Sequence, residues 1–100
     1  MRGGRRVRFG AEALAELAEA AAQYEAVRAG VGGDFVEEIE SIADEIRERP
    51  ASFPEIVPGY RRALASVFPY AVVFVVDGDD VRILAIAHQR RRPEYWRGRG

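Results

Sequence analysis

The chain has no cysteine, no lysine and a single histidine in 100 residues. Without cysteine there is neither a disulfide framework nor a thiolate zinc site. One imidazole does not make a histidine-rich metal centre, so no metal and no cofactor are expected. No apolar run is long enough to span a bilayer. The start, MRGGRRVRFG, is basic like the first region of a secretory signal. The following AEALAELAEAA, however, carries Glu12, Glu16 and Glu19, charges that a secretory apolar segment does not tolerate. These absences leave a soluble, cytoplasmic protein as the expectation. The length fits one domain over residues 1–100, with a single core.

What is present is unevenly placed. The net charge is −1. Between Ala11 and Ile46 acids dominate, from Glu12 through Glu45, against Arg28 alone. From Val81 to Gly100 the balance reverses, with Arg82, Arg90, Arg91, Arg92, Arg97 and Arg99 against Glu94. Such asymmetry suggests one face for an anionic partner and another toward solvent. Every basic side chain is arginine, which grips phosphate or carboxylate with two parallel hydrogen bonds and stacks on rings. A chain-wide preference for arginine codons would give the same bias.

The strongest local pattern is a hairpin. Tyr70–Val76 and Val81–Ala87 are two apolar, β-branched runs around Asp77-Gly78-Asp79-Asp80. Val, Ile and aromatic residues suit a pleated, buried surface, and Gly and Asp tolerate the backbone of a tight turn. The first run lacks polar alternation, as a strand at the centre of a sheet would. The second ends abruptly in His88, Arg90–Arg92, Tyr95 and Trp96.

Ahead of the hairpin, Arg5–Phe9 alternates charged and apolar residues, the period of a short half-buried strand. Ala11–Ala29 predicts a helix whose apolar stripe runs Leu14, Leu17, Ala18, Ala21, Tyr24 and Val27. Gly30, Gly32 and Gly33 end it. Asp34 then serves as N-cap of a second helix, with Glu37 completing a capping box. Its stripe is Phe35, Ile39, Ile42 and Ile46, and Pro50 ends it. Pro50–Gly59 holds three prolines and reads as an irregular connection pinned by Phe53, Ile56 and Val57. Tyr60–Ser66 offers one more strand. The expected fold is α+β, in the order β-α-α-β-β-β: a small, mainly antiparallel sheet with a helical hairpin on one face and the other face partly open.

Four pieces in series carry a resemblance. They are the Ala/Glu-rich helix ending in Tyr24-Glu25 before Gly30-Val31-Gly32 and Phe35; Pro50 with Phe53-Pro54 and Gly59-Tyr60-Arg61-Arg62; Phe68-Pro69-Tyr70; and LAIAHQRRRPEYW, Leu84–Trp96. In this order they resemble the RelE/ParE superfamily, the toxins of type II toxin–antitoxin modules. The resemblance covers nearly the whole chain. It implies a cognate ParD/RelB-like antitoxin that wraps the toxin with an extended segment. It also implies a target, either DNA gyrase in the ParE branch or messenger RNA on the ribosome in the RelE branch.

The chain looks more like the ParE branch, a toxin that acts by binding rather than by catalysis. Metal-independent RNA cleavage needs a base for the 2′-hydroxyl, cations for the phosphorane and an acid for the leaving oxygen. The nuclease branch places Arg after the residue corresponding to Tyr70, where this chain has Ala71. Its near-terminal Tyr falls at or beside Trp96, and an indole offers no phenolic proton. Were the chain a nuclease, the set would be His88, Arg90, Arg62 and Tyr95. As a binding toxin, its candidate target- or antitoxin-contacting residues are Arg61, Arg62, Arg90, Arg91, Arg92, Tyr95 and Trp96. Arg61 and Arg62 lie on opposite faces of an extended segment. Trp96 has an alternative role as a cover over the sheet end.

Overall fold

The computed structural model describes residues 5–99; the first four residues of the signal-like start MRGGRRVRFG lie outside them. Strand β1 (Arg6–Phe9) leads into helices α1 (Ala11–Val27) and α2 (Val31–Glu48). A single 3-10 turn, Pro50–Ser52, follows, then β2 (Glu55–Val57), β3 (Tyr60–Leu64), β4 (Tyr70–Asp77) and β5 (Asp80–His88). The strands form one sheet in the order β1-β5-β4-β3-β2. β1 runs parallel to β5 and the other neighbours are antiparallel. The helical hairpin packs on one face. The α+β class stands as expected, with one strand more: β2 forms inside the proline-rich connection. It is only three residues long and pairs with β3 across a register shift, too short for a periodic signal.

The hairpin is tighter than the sequence suggests. Asp77 pairs with Asp80, which leaves a two-residue turn at Gly78-Asp79, and Gly78 takes φ 63°. Farther along, Val73 faces Ala85 but Phe74 faces Ile83, so Leu84 is an extra residue in β5. This bulge shifts which side chains face the helices. Val81, Ile83 and Ile86 share the helix-side core with Val72 and Phe74, while Ala85 and Ala87 turn to the other face with Val73.

The helices differ from expectation in two places. α2 begins at Val31 rather than after an Asp34 cap, and Asp34 lies in its first turn. Gly30 is the N-cap residue, in the left-handed region at φ 92°. The cap is supplied from α1: the Glu25 carboxylate accepts the Gly30 and Gly32 N–H groups, both at 2.9 Å. A carboxylate suits a helix N-terminus, where donors are unpaired and the dipole is positive. Gly32 is also required by close approach, since a Cβ there would stand 2.5 Å from the Ala21 carbonyl oxygen.

In α1 the buried residues are Ala13 and Ala20, whereas Leu14 and Val27 are 50% and 86% exposed. The small side chains face inward because α1 lies close on α2 and β5. The α2 stripe Phe35, Ile39, Ile42 and Ile46 is buried as its spacing requires. Tyr24, Phe35, Phe68 and Tyr70 join above it in tilted and edge-on ring contacts, Tyr24 to Phe68 at 4.9 Å and Phe35 to Tyr70 at 4.9 Å. The β3–β4 loop is fixed by Glu38, which accepts the Ser66 N–H at 2.6 Å and the Ser66 hydroxyl at 2.8 Å. Burial pushes this carboxyl up, but hydrogen bonds from Ser66, Val67 and Phe68 outweigh it and hold the pKa below the usual carboxylate value.

Candidate partner-binding groove

The helix-free face of the sheet is not flat. Beyond β5 the chain runs through a series of turns, with Glu94 at φ 63° and Gly98 at φ 94°. These turns fold back over the strands. Trp96 is driven there by its apolar area and is only 4% exposed, its ring centroid 5.0 Å from that of Tyr60. It packs with Val73, Ala85 and Ala87. The small side chains of β5 make room for it. Trp96 is thus a cover over the sheet rather than a free stacking surface.

Between this turn segment and β2–β3 runs a groove of about 280 Å³. Its floor is apolar, with Leu64, Ala71, Val73 and Ala87, and Arg62 and Arg92 stand at its sides. Arg62 and Arg92 are exposed, as is Arg90. No carboxylate among the described residues forms an ion pair with any of the three. An apolar floor flanked by unpaired guanidinium groups accepts an apolar side chain next to a carboxylate or phosphate.

The nominated residues divide into three groups. Arg62, Arg91, Arg92, Tyr95 and Trp96 come together along the groove, and His88 lies at its end. Arg90 does not line it. Arg61 is on the opposite, helix-covered face, because its position alternates with that of Arg62. Half-buried there, it donates to the Phe53 carbonyl and lies 3.8 Å from Glu55.

The two groups suited to proton transfer have other partners. The His88 ring meets Tyr70 edge-on at 5.0 Å, and its Nδ1 accepts the Arg90 N–H at 3.0 Å. The Tyr95 hydroxyl donates to Glu16 Oε2 at 2.8 Å. Burial, then the bond to Glu16 and that carboxylate's charge, push the phenol up to about 12.

Glu16, one of the acids in the stretch expected to face solvent, is instead held inside the fold. Its side chain is 15% exposed. It also accepts the Ile86 N–H at 2.9 Å and an Arg99 N–H at 3.0 Å, with Arg91 at 3.9 Å. The Arg99 pKa is raised, first by that hydrogen bond. No local signal in the sequence marks this: Glu16 shares the inward side of α1 with Ala13 and Ala20, and that side is chosen by packing.

The fold is a small two-layer α+β domain, a helical hairpin on one face of a five-stranded sheet and a groove on the other. Residues 7–93 match the family described as ParE toxin of type II toxin-antitoxin system, parDE, and the chain belongs to that family. The structure is also similar to a solved chain from the chromosomal ParDE TA system from P. aeruginosa. The TM-score is 0.75 at 20% identity, covering 84% of this chain and 95% of that one. None of the curated proteins compared with the chain matches it. The protein is a ParE-type toxin of a type II toxin–antitoxin system. Among the described residues, no helix is long and apolar enough to cross a membrane.

Proposed function

We propose that this toxin arrests growth by binding a protein target, DNA gyrase, in the cytoplasm, and that a ParD-like antitoxin neutralises it. The groove on the helix-free face is the surface on which a partner seats an acidic, apolar segment. One observation carries this reading. The groove presents the cations Arg62 and Arg92 beside an apolar floor, while His88 and Tyr95, the best acid–base groups nearby, are held in hydrogen bonds of the fold. Such a surface recognises anionic groups but does not need to move a proton.

The test is direct. Purified toxin at micromolar concentration is expected to inhibit gyrase supercoiling or to trap cleaved DNA. Full supercoiling at that concentration overturns the gyrase assignment. Cutting of mRNA in a translating extract, abolished by Arg90→Ala or His88→Ala, would replace it with the nuclease reading. Induced expression without growth arrest would leave a binding module that is no longer toxic.

A further inference from the structure

β1 covers β5 only from Asp80 to Ile83. At Gly10 the chain turns into α1, and the last bond of that ladder is the Gly10 N–H to the Ile83 carbonyl at 2.8 Å. Past the Leu84 bulge, the edge of β5 has no neighbouring strand on this side among the described residues. An uncovered edge carries unpaired backbone groups.

Here side chains replace the strand. Glu16 accepts the Ile86 N–H at 2.9 Å, and Arg99 donates to the Leu84 carbonyl at 3.0 Å. Glu16 and Arg99 are themselves joined at 3.0 Å. The Tyr95 hydroxyl closes on the same carboxylate, and the Arg91 guanidinium lies 3.8 Å from the centre of the Tyr95 ring. Between these anchors Trp96 reaches the opposite face of the sheet and packs on Tyr60. The segment therefore wraps the end of β5, gripped by α1 on one side and wedged over the strands on the other.

We propose that Glu16 is a positioning residue for partner binding: by fastening Tyr95 and Arg99 it sets the stance of the turn segment that forms the cationic wall of the groove. Glu16 does not line that groove. It acts through Arg91, Arg92 and Trp96, which do. The proposal rests on the groove being the binding surface.

Glu16→Gln keeps the volume and one acceptor but removes the charge that Arg99 and Arg91 face. Three measurements decide the matter on the full chain. Hydrogen exchange follows the Ile86 amide. Acrylamide quenching follows Trp96, the only tryptophan. Binding is read with gyrase and with a fluorescein-labelled peptide of alternating Glu and Leu.

The expected result is faster Ile86 exchange and greater Trp96 quenching, with cooperative unfolding retained and partner affinity lowered roughly tenfold or more, as for the loss of a charge-assisted bond. Tyr95→Phe combined with Arg99→Ala carries the same expectation should Glu16→Gln fail to fold. A released segment with unchanged affinity overturns the positioning role, as does unchanged Ile86 and Trp96 protection. Wild-type protein that binds the peptide but not gyrase removes only the gyrase assignment. Wild-type protein that binds neither removes the groove reading and this proposal together.

Discussion

On its helix side the sheet presents Val72, Phe74, Val81, Ile83 and Ile86, and α2 meets them with Phe35, Ile39 and Ile46, all at most 2% exposed. On the other side the same strands present Ala71, Val73, Ala85 and Ala87, and the principal cover is one tryptophan from the C-terminal turns. The first face uses large side chains from both partners and closes completely. The second uses small ones and leaves a groove. Burial of apolar area scales with the area removed from water, so most of the folding free energy belongs to the first face. The second face holds Arg62 and Arg92, which have no ion-pair partner among the described residues. Stability and recognition are thus divided between two sides of one sheet.

The largest way to break this comparison is Phe74→Ala. Phe74 is fully buried and touches Phe53 edge-on at 5.9 Å. A cavity at a fully enclosed aromatic costs about 3–5 kcal/mol, a large part of the stability of a domain this size. Urea denaturation should show the loss. Trp96→Ala removes a still larger side chain from the other face, yet the expected loss is smaller, about 2 kcal/mol, below the usual range for an enclosed aromatic. The turn segment can come away from the sheet without unfolding it, so the wall of the groove is lost before the core is. A Trp96→Ala variant as unstable as Phe74→Ala would mean that the two faces fold as one unit.

How much of this division was legible follows from the same contrast. The helix-side face announces itself by period: Phe35, Ile39, Ile42 and Ile46 at helical steps, and two β-branched runs around a Gly-Asp turn. These are local patterns, and the structure follows them. The misread elements are those fixed by distant contacts. Leu14 and Val27 are larger than Ala13 and Ala20, but the close approach of α1 to its neighbours selects the alanines. Asp34 has the chemistry of a cap, but Glu25 from the preceding helix reaches the free N–H groups first. β2 and the Leu84 bulge depend on strand pairing, which no window of sequence displays. The groove is read only in part. Arg62 and the C-terminal arginines were visible as charge, but the fastening of their segment by Glu16 joins residues 79 and 83 positions apart.

A pH series sharpens the comparison on each side. On the helix-free face, burial and the bond to Glu16 raise the Tyr95 phenol from its ordinary value of 10.0 to about 12. A folded value above the unfolded one means that the folded state keeps the proton longer. The contribution is therefore fully present below pH 10 and is lost as the pH rises toward 12. Tyr24 and Tyr70 are also raised by burial, so the Tyr95 share is read as the alkaline loss that disappears in Tyr95→Phe. On the helix side, the Glu38 carboxyl is lowered, so its contribution is present above the ordinary carboxylate range and lost as the pH falls through the folded value. The protection of the Ser66 and Val67 amides, taken relative to the intrinsic exchange rate at each pH, should fall on acidification in the wild type, and Glu38→Gln should show the reduced protection already at neutral pH.

The smallest expected effect on stability is the most informative about function. Arg62 is exposed, lies opposite Val73 in the register, and has no ion-pair partner among the described residues. Substitutions at such positions usually change stability by less than about 0.5 kcal/mol. Arg62→Ala should therefore unfold with the wild type in urea. Its neighbour Arg61→Ala loses a bond to the Phe53 carbonyl and the approach to Glu55, and should cost roughly 1 kcal/mol. In binding the order should reverse. Arg62 stands in the groove and its loss removes a charge-assisted contact, lowering partner affinity about tenfold or more, while Arg61→Ala leaves affinity near that of the wild type. Two adjacent arginines of one strand would then separate the two faces cleanly, one changing the melt and the other the complex. Equal loss of affinity in both variants would show that the partner does not distinguish the faces, and the groove would no longer be the surface that it reads.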